Sequence, residues 1–227
     1  MADIPFLNPS VLTQLDLPIP NRIETPLTLE PLNLNRPYEP SKEIQAYRRL
    51  YGLDQLEGQF WQGYVKMPLF KLHVQVYQPV IDQIKGTVFL LHGYLEHSGI
   101  YQPIIRELLD QGFSVITYDL PGHGLSDGNA ASIQNFDHYQ QVLHAVHQYL
   151  RNADQLPKPW LGIGQSTGAA IWMHHLLEYA EQRKNPIVER VLLLSPLVRP
   201  AKSAWWHNSV GLGIIRRIKR EVPRHFK

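Results

Sequence analysis

The sequence predicts an α/β fold with a doubly wound, mostly parallel sheet. From about Lys42 onward, short β-rich runs alternate with longer amphipathic stretches, separated by turn residues, as in successive βα units. The apolar runs Val88-Phe89-Leu90-Leu91 and Val191-Leu192-Leu193-Leu194 do not alternate with polar residues, which suits strands covered on both faces. The 227 residues, 44% of them apolar and 19% charged, are enough for one domain with a sizeable core.

In order along the chain, residues 1–45 form a proline-rich arm. Eight of the 18 prolines fall between Pro5 and Pro40, too close together for a helix or an inner strand. Its many leucines and isoleucines predict that it lies along the body of the domain. Residues 46–196 read as the core: paired strands over Gly58–Met67 and Phe70–Gln78, then a buried strand over Thr87–Leu91. A helix is expected over Tyr101–Gln111, a strand over Phe113–Tyr118 and a helix over Ile133–Arg151. The strand Trp160–Ile163, the helix Thr167–Arg183 and the strand Val188–Leu194 complete it. Residues 197–227 read as a further segment, the start of a cap.

Composition narrows the chemistry. Twenty-two Lys and Arg against 20 Asp and Glu leave a net charge of +2, so no chain-wide basic field exists to hold nucleic acid. The absence of cysteine excludes disulfides, thiolate metal sites and a cysteine nucleophile. The N-terminal residues lack a basic stretch followed by an apolar run, and nowhere do 18 apolar residues stand together, which predicts a cytoplasmic, soluble chain.

In doubly wound sheets, ligands bind at the carboxyl ends of the strands. Those ends read His92-Gly93-Tyr94-Leu95-Glu96-His97-Ser98-Gly99, then Asp119-Leu120-Pro121-Gly122-His123-Gly124-Leu125-Ser126, then Gly164-Gln165-Ser166-Thr167-Gly168. The third is G-x-S-x-G between a strand and a helix, the context in which a nucleophilic serine sits on a strained turn with its hydroxyl exposed. Side chains at the flanking glycine positions would strike neighbouring backbone. Ser166 is therefore the candidate nucleophile. The N–H of Thr167, at the positive end of its helix, and the N–H of Tyr94, on the loop after Leu91, are candidate oxyanion donors.

These three segments resemble the α/β-hydrolase superfamily and, within it, the lysophospholipase and monoacylglycerol lipase-like branch, also described as serine aminopeptidase-like. The likeness runs from about Gly58 to Pro196. It departs at Leu95 and Ala169, where the family favours glycine, and at Gln165, where it has histidine. The resemblance implies a serine esterase acting through an acyl-enzyme on a lysophospholipid or monoacylglycerol, with no metal or organic cofactor. A small-peptide amide is the narrower alternative substrate.

Such chemistry needs a histidine base held by a carboxylate, and the family places both after the serine. After Ser166 the sequence has no aspartate, and its acids are Glu178, Glu181, Glu189 and Glu221. His174 and His175 lie roughly 12 Å along the helix from the serine, and His207 and His225 fall in the final segment. His92, His97 and His123 read as loop-fixing hydrogen bonders. His138, His144 and His147 read as a solvated helix face, the last two lacking a third ligand for a metal. The expectation is a chain that stops about 60 residues short of the missing acid and base and is nearly inactive, with Val188–Leu194 left as an apolar edge. The rival is a non-catalytic module that binds a lipid or a partner. Gly211–Arg220 joins apolar residues to four positive charges, which reads either as an interfacial helix touching a membrane surface or as an ordinary cap helix.

Overall fold

The computed structural model describes residues 29–197. The first 28 residues of the arm, and with them Leu12 to Leu27, lie outside the described residues. So do Trp205, Trp206, His207, Gly211–Arg220, Glu221 and His225.

Six strands form one sheet: β1 (Gln59–Lys66), β2 (Lys71–Gln78), β3 (Gly86–Leu91), β4 (Phe113–Tyr118), β5 (Trp160–Gln165) and β6 (Arg190–Leu194). Their order is β1-β2-β4-β3-β5-β6. β1 and β2 form an antiparallel hairpin, and β2 runs antiparallel to β4. From β4 onward the pairing is parallel. The chain is an α/β-hydrolase fold over this region.

The helices are α1 (Lys42–Leu50), α2 (Gln102–Asp110), α3 (Asp137–Leu150) and α4 (Thr167–Glu181), with 3-10 turns at Leu53–Gln55 and Ser98–Tyr101. Consecutive strand residues feed opposite faces, as the pleat requires. Leu90 and Val115 pack with Ile105 and Leu109 of α2. Phe89, Leu91 and Ile116 pack with Val142, Val146 of α3 and Ile171, Trp172 of α4. All six residues of β3 are buried, as the unbroken apolar run predicts.

Boundaries shift where side chains compete with the backbone. The expected helix over Ile133–Arg151 begins at Asp137 instead, because the Asn135 side-chain oxygen accepts the Asp137 N–H at 3.0 Å and closes a turn there. The expected helix over Tyr101–Gln111 opens as a 3-10 turn capped by His97, whose Nδ1 accepts the Gly99 N–H at 3.1 Å. Strand β5 runs two residues further than expected, through Gln165, and β6 starts two residues later than expected, at Arg190. The described part of the arm before α1 runs extended along β1, with Leu32 N–H bonded to Tyr64 O at 3.0 Å and Tyr64 N–H to Glu30 O at 2.8 Å; α1 begins at Lys42, within the expected arm, because the prolines end at Pro40 and Ser41 caps the helix.

Candidate active site

Ser166 stands between the end of β5 and the first turn of α4. Its backbone is strained, with a positive φ of 49° and ψ of −107°. Two glycines make that turn sterically feasible. A Cβ on Gly164 would lie 2.4 Å from the Gly168 carbonyl carbon, and one on Gly168 would lie 2.4 Å from the Leu91 oxygen. The serine is also tethered through its own backbone, its N–H bonding to Leu194 O at 2.9 Å. The result is a partly exposed hydroxyl at the carboxyl edge of the sheet.

The loop after β3 lies directly against it. A Cβ on Gly93 would approach Ser166 Cβ to 3.3 Å. The orientation of this loop follows from one histidine. His92 is buried, and its Nε2 accepts the Leu120 N–H at 2.8 Å, so its proton resides on Nδ1, which donates to Gly93 O at 2.7 Å. Burial pushes the His92 imidazole down to about 4, which keeps it neutral. Because the peptide is planar and trans, fixing Gly93 O fixes the Tyr94 N–H in the opposite direction. Among the described residues neither the Tyr94 nor the Thr167 N–H has an acceptor.

A second chain of polar groups joins the loop to the elbow. Gly93 N–H bonds to Glu96 Oε2 at 2.8 Å and to the Tyr101 hydroxyl at 3.1 Å. Tyr101 reaches Glu96 Oε2 and the Gln165 side-chain oxygen, each at 2.5 Å. One hydroxyl proton serves one acceptor, so these contacts are satisfied together when Gln165 turns its amide nitrogen toward Tyr101 and Tyr101 donates to Glu96. The glutamine that replaces the family's histidine is thus tied into the loop. Leu95, another of the three departures, is exposed and adopts φ 63°, in the region that glycine enters without penalty.

Beneath the loop Asp119, the first residue of the second strand-end segment, pairs with His73, a partner that the strand-end pattern does not reveal. Asp119 is fully buried and accepts Ser98 N–H at 2.8 Å, Ser98 Oγ–H at 2.6 Å, Leu125 N–H at 2.8 Å and His73 Nδ1 at 3.0 Å. Burial alone would raise its carboxyl, but the His73 bond and charge, with His92 and the Leu125 N–H, hold it well below the usual carboxylate range. Both His73 and Asp119 have no exposed surface, so the pair organises the loops and does not touch substrate. The available signal was the interruption of β2 by polar residues, His73 and Gln75, both buried; Gln75 donates to Ser98 Oγ at 2.7 Å.

The loop histidines behave as expected: His97 caps the 3-10 turn, and His123 Nδ1 lies 3.0 Å from Pro121 O. His144 and His147 do not. They are packed and half-buried, because α4 and Trp160 cover that side of α3. Among the described residues no hydrogen bond joins Ser166 Oγ to a histidine, and no three His, Asp or Glu side chains form a ligand cluster.

The family model described as serine aminopeptidase, S33 matches residues 82–224, well over half of the chain. The chain belongs to this family. Among curated relatives, human monoglyceride lipase is 31% identical over 119 residues, covering 50% of the chain and 36% of the lipase. Caffeoylshikimate esterase of Arabidopsis thaliana is 30% identical over 112 residues, covering 48% and 34%. The chain thus spans about a third of the length of these relatives. A soluble variant of monoglyceride lipase from Saccharomyces cerevisiae, in complex with a substrate analog, has the same fold at a TM-score of 0.52 and 20% identity, over 71% of this chain and 52% of that one.

Proposed function

We propose that this S33 hydrolase uses Ser166 to attack a carboxylic ester, forming an acyl-enzyme, with the Tyr94 and Thr167 N–H groups stabilising the charged oxygen. The observation that carries the reading is the strained Ser166 turn with Gly93 packed against it, while the Tyr94 and Thr167 N–H groups have no acceptor among the described residues. A monoacylglycerol or lysophospholipid is the substrate class favoured by the likeness to monoglyceride lipase. The exposed Tyr94, Leu95 and Phe136 would offer apolar surface to an acyl chain.

Turnover by residues 1–227 is slow in this reading. Both His92 nitrogens are already bonded, His73 is sealed beneath the loops, and no described histidine is bonded to the serine. Labelling of the 227-residue protein with a fluorophosphonate, with Ser166→Ala as control and short-chain ester hydrolysis measured in parallel, tests this. Weak labelling that Ser166→Ala abolishes, with ester turnover reduced by roughly 10³-fold or more against a complete triad, is expected. Rapid turnover would show that a histidine of this chain completes the site. No labelling of a folded sample would favour a module that binds its lipid or partner without cleaving it.

A further inference from the structure

Behind the nucleophile turn, α3 and α4 meet through histidines that the proposed chemistry does not use. His175 of α4 is fully buried, and its Nε2 accepts the Ile187 N–H at 3.2 Å. A ring nitrogen that accepts carries no proton, so the His175 proton sits on Nδ1. That nitrogen lies 3.2 Å from His144 Nε2 on α3. His144 Nε2 must therefore accept, which places its own proton on Nδ1. One backbone amide thus sets both tautomers in series. The seam is satisfied only while both rings are neutral. A proton on His144 Nε2 would set two N–H groups head to head, and a proton on His175 Nε2 would displace the Ile187 amide.

The surroundings leave little room for an added charge. Tyr179 packs on both rings, at 4.2 Å from His175 and 5.6 Å from His144, and Trp172 meets His175 edge-on at 5.8 Å. Burial, then the neighbouring His144, His147 and His174, pushes His175 down to about 4. His147, packed against Trp160, is likewise pushed to about 4 by burial, then by Arg151, His144 and Lys158. His144 is lowered by burial and by Lys184, with Glu178 opposing. Asp137 lies 3.9 Å from His174 Nε2 at the far end of the seam.

We propose that the His144–His175 contact is an acid-sensitive latch between α3 and α4, which holds the helix leading away from Ser166 while both rings are neutral and gives way when either is protonated. An unfolded imidazole protonates near 6.5, whereas these rings resist protonation while packed. The latch is therefore intact above about 6.5, and its contribution is lost progressively as the pH falls toward about 4.

The test combines histidine 15N NMR of the 227-residue protein with thermal unfolding at pH 7.5 and 5.0. The spectra should show protons on Nδ1 of both His144 and His175 at pH 7.5, and coupled titration of the two below the ordinary imidazole value of about 6.5. His144→Gln keeps an oxygen that can accept the His175 N–H but takes up no proton; His138→Gln, on the same helix outside the seam, is the control. The drop in midpoint between pH 7.5 and 5.0 should be about 2–4 °C smaller in His144→Gln than in either the wild type or the control. An equal drop in all three proteins, the opposite tautomers, or independent titration of both rings near 6.5 would each overturn the latch. If His144→Gln does not fold, the wild-type titration decides alone.

Discussion

Leu95 shows how one side chain can work against an otherwise consistent loop. Its φ of 63° costs an L-residue about 1–2 kcal/mol, part of which glycine returns through the greater freedom of its unfolded chain. Leu95→Gly should therefore raise stability by up to about 1 kcal/mol in urea unfolding, while Leu95→Ala, which keeps the Cβ, should not. Gly164 is the opposite case. A methyl group there would sit 2.4 Å from backbone, so Gly164→Ala should cost about 2–3 kcal/mol and distort the serine turn. Both positions were legible in the sequence, since the elbow is written in consecutive residues and Leu95 stood out against its family. The role of His73 was not. Its partner Asp119 is 46 residues away, and only the β2–β4 pairing brings them together.

Among the elements, the strand-end loops are held less by their own sequences than by what they grip. Ser98, His73 and Leu125 come from three separate segments and converge on one buried carboxylate. Asp119→Asn removes the charge that these donors share and leaves His73 without its counterpart, so it should cost about 3–5 kcal/mol and loosen the loop that carries Tyr94. The same carboxylate gives acid sensitivity of definite sign. Its folded value is depressed, so its stabilisation is present above the ordinary carboxylate value of about 3.9 and is lost as the pH falls below it. Acid unfolding of the wild type should therefore steepen below about pH 4, and Asp119→Asn should lack that component. Periodicity found the strands and helices because burial imposes it. It misplaced the start of α3 because Asn135, a local hydrogen bonder, outweighed the helical pattern of Ile133 and Phe136. The same periodicity predicts a solvated face for His144 and His147, since a polar side chain buried between two helices looks, in one dimension, like one facing water.

For the whole described body, the two faces of the sheet are unequally covered at β6. Val191 and Leu193 pack into the core beneath α3 and α4, but Leu192 and Leu194 on the other face are 53% and 38% exposed. Among the described residues β6 has a single strand neighbour, β5, so its outer edge carries unpaired backbone groups beside an apolar surface. That combination is a template for pairing with another chain. Charge placed on the uncovered face opposes such pairing while leaving the core contacts intact. Leu192→Lys should lower the aggregation of residues 1–227, measured by light scattering at matched concentration, with a change in stability within about 0.5 kcal/mol. Val191→Lys, directed into the core, should unfold the same region, so the pair separates an exposed edge from a buried strand. If Leu192→Lys were as destabilising as Val191→Lys, both faces of β6 would have to be covered in solution, and the leucines exposed among the described residues would belong to an interface.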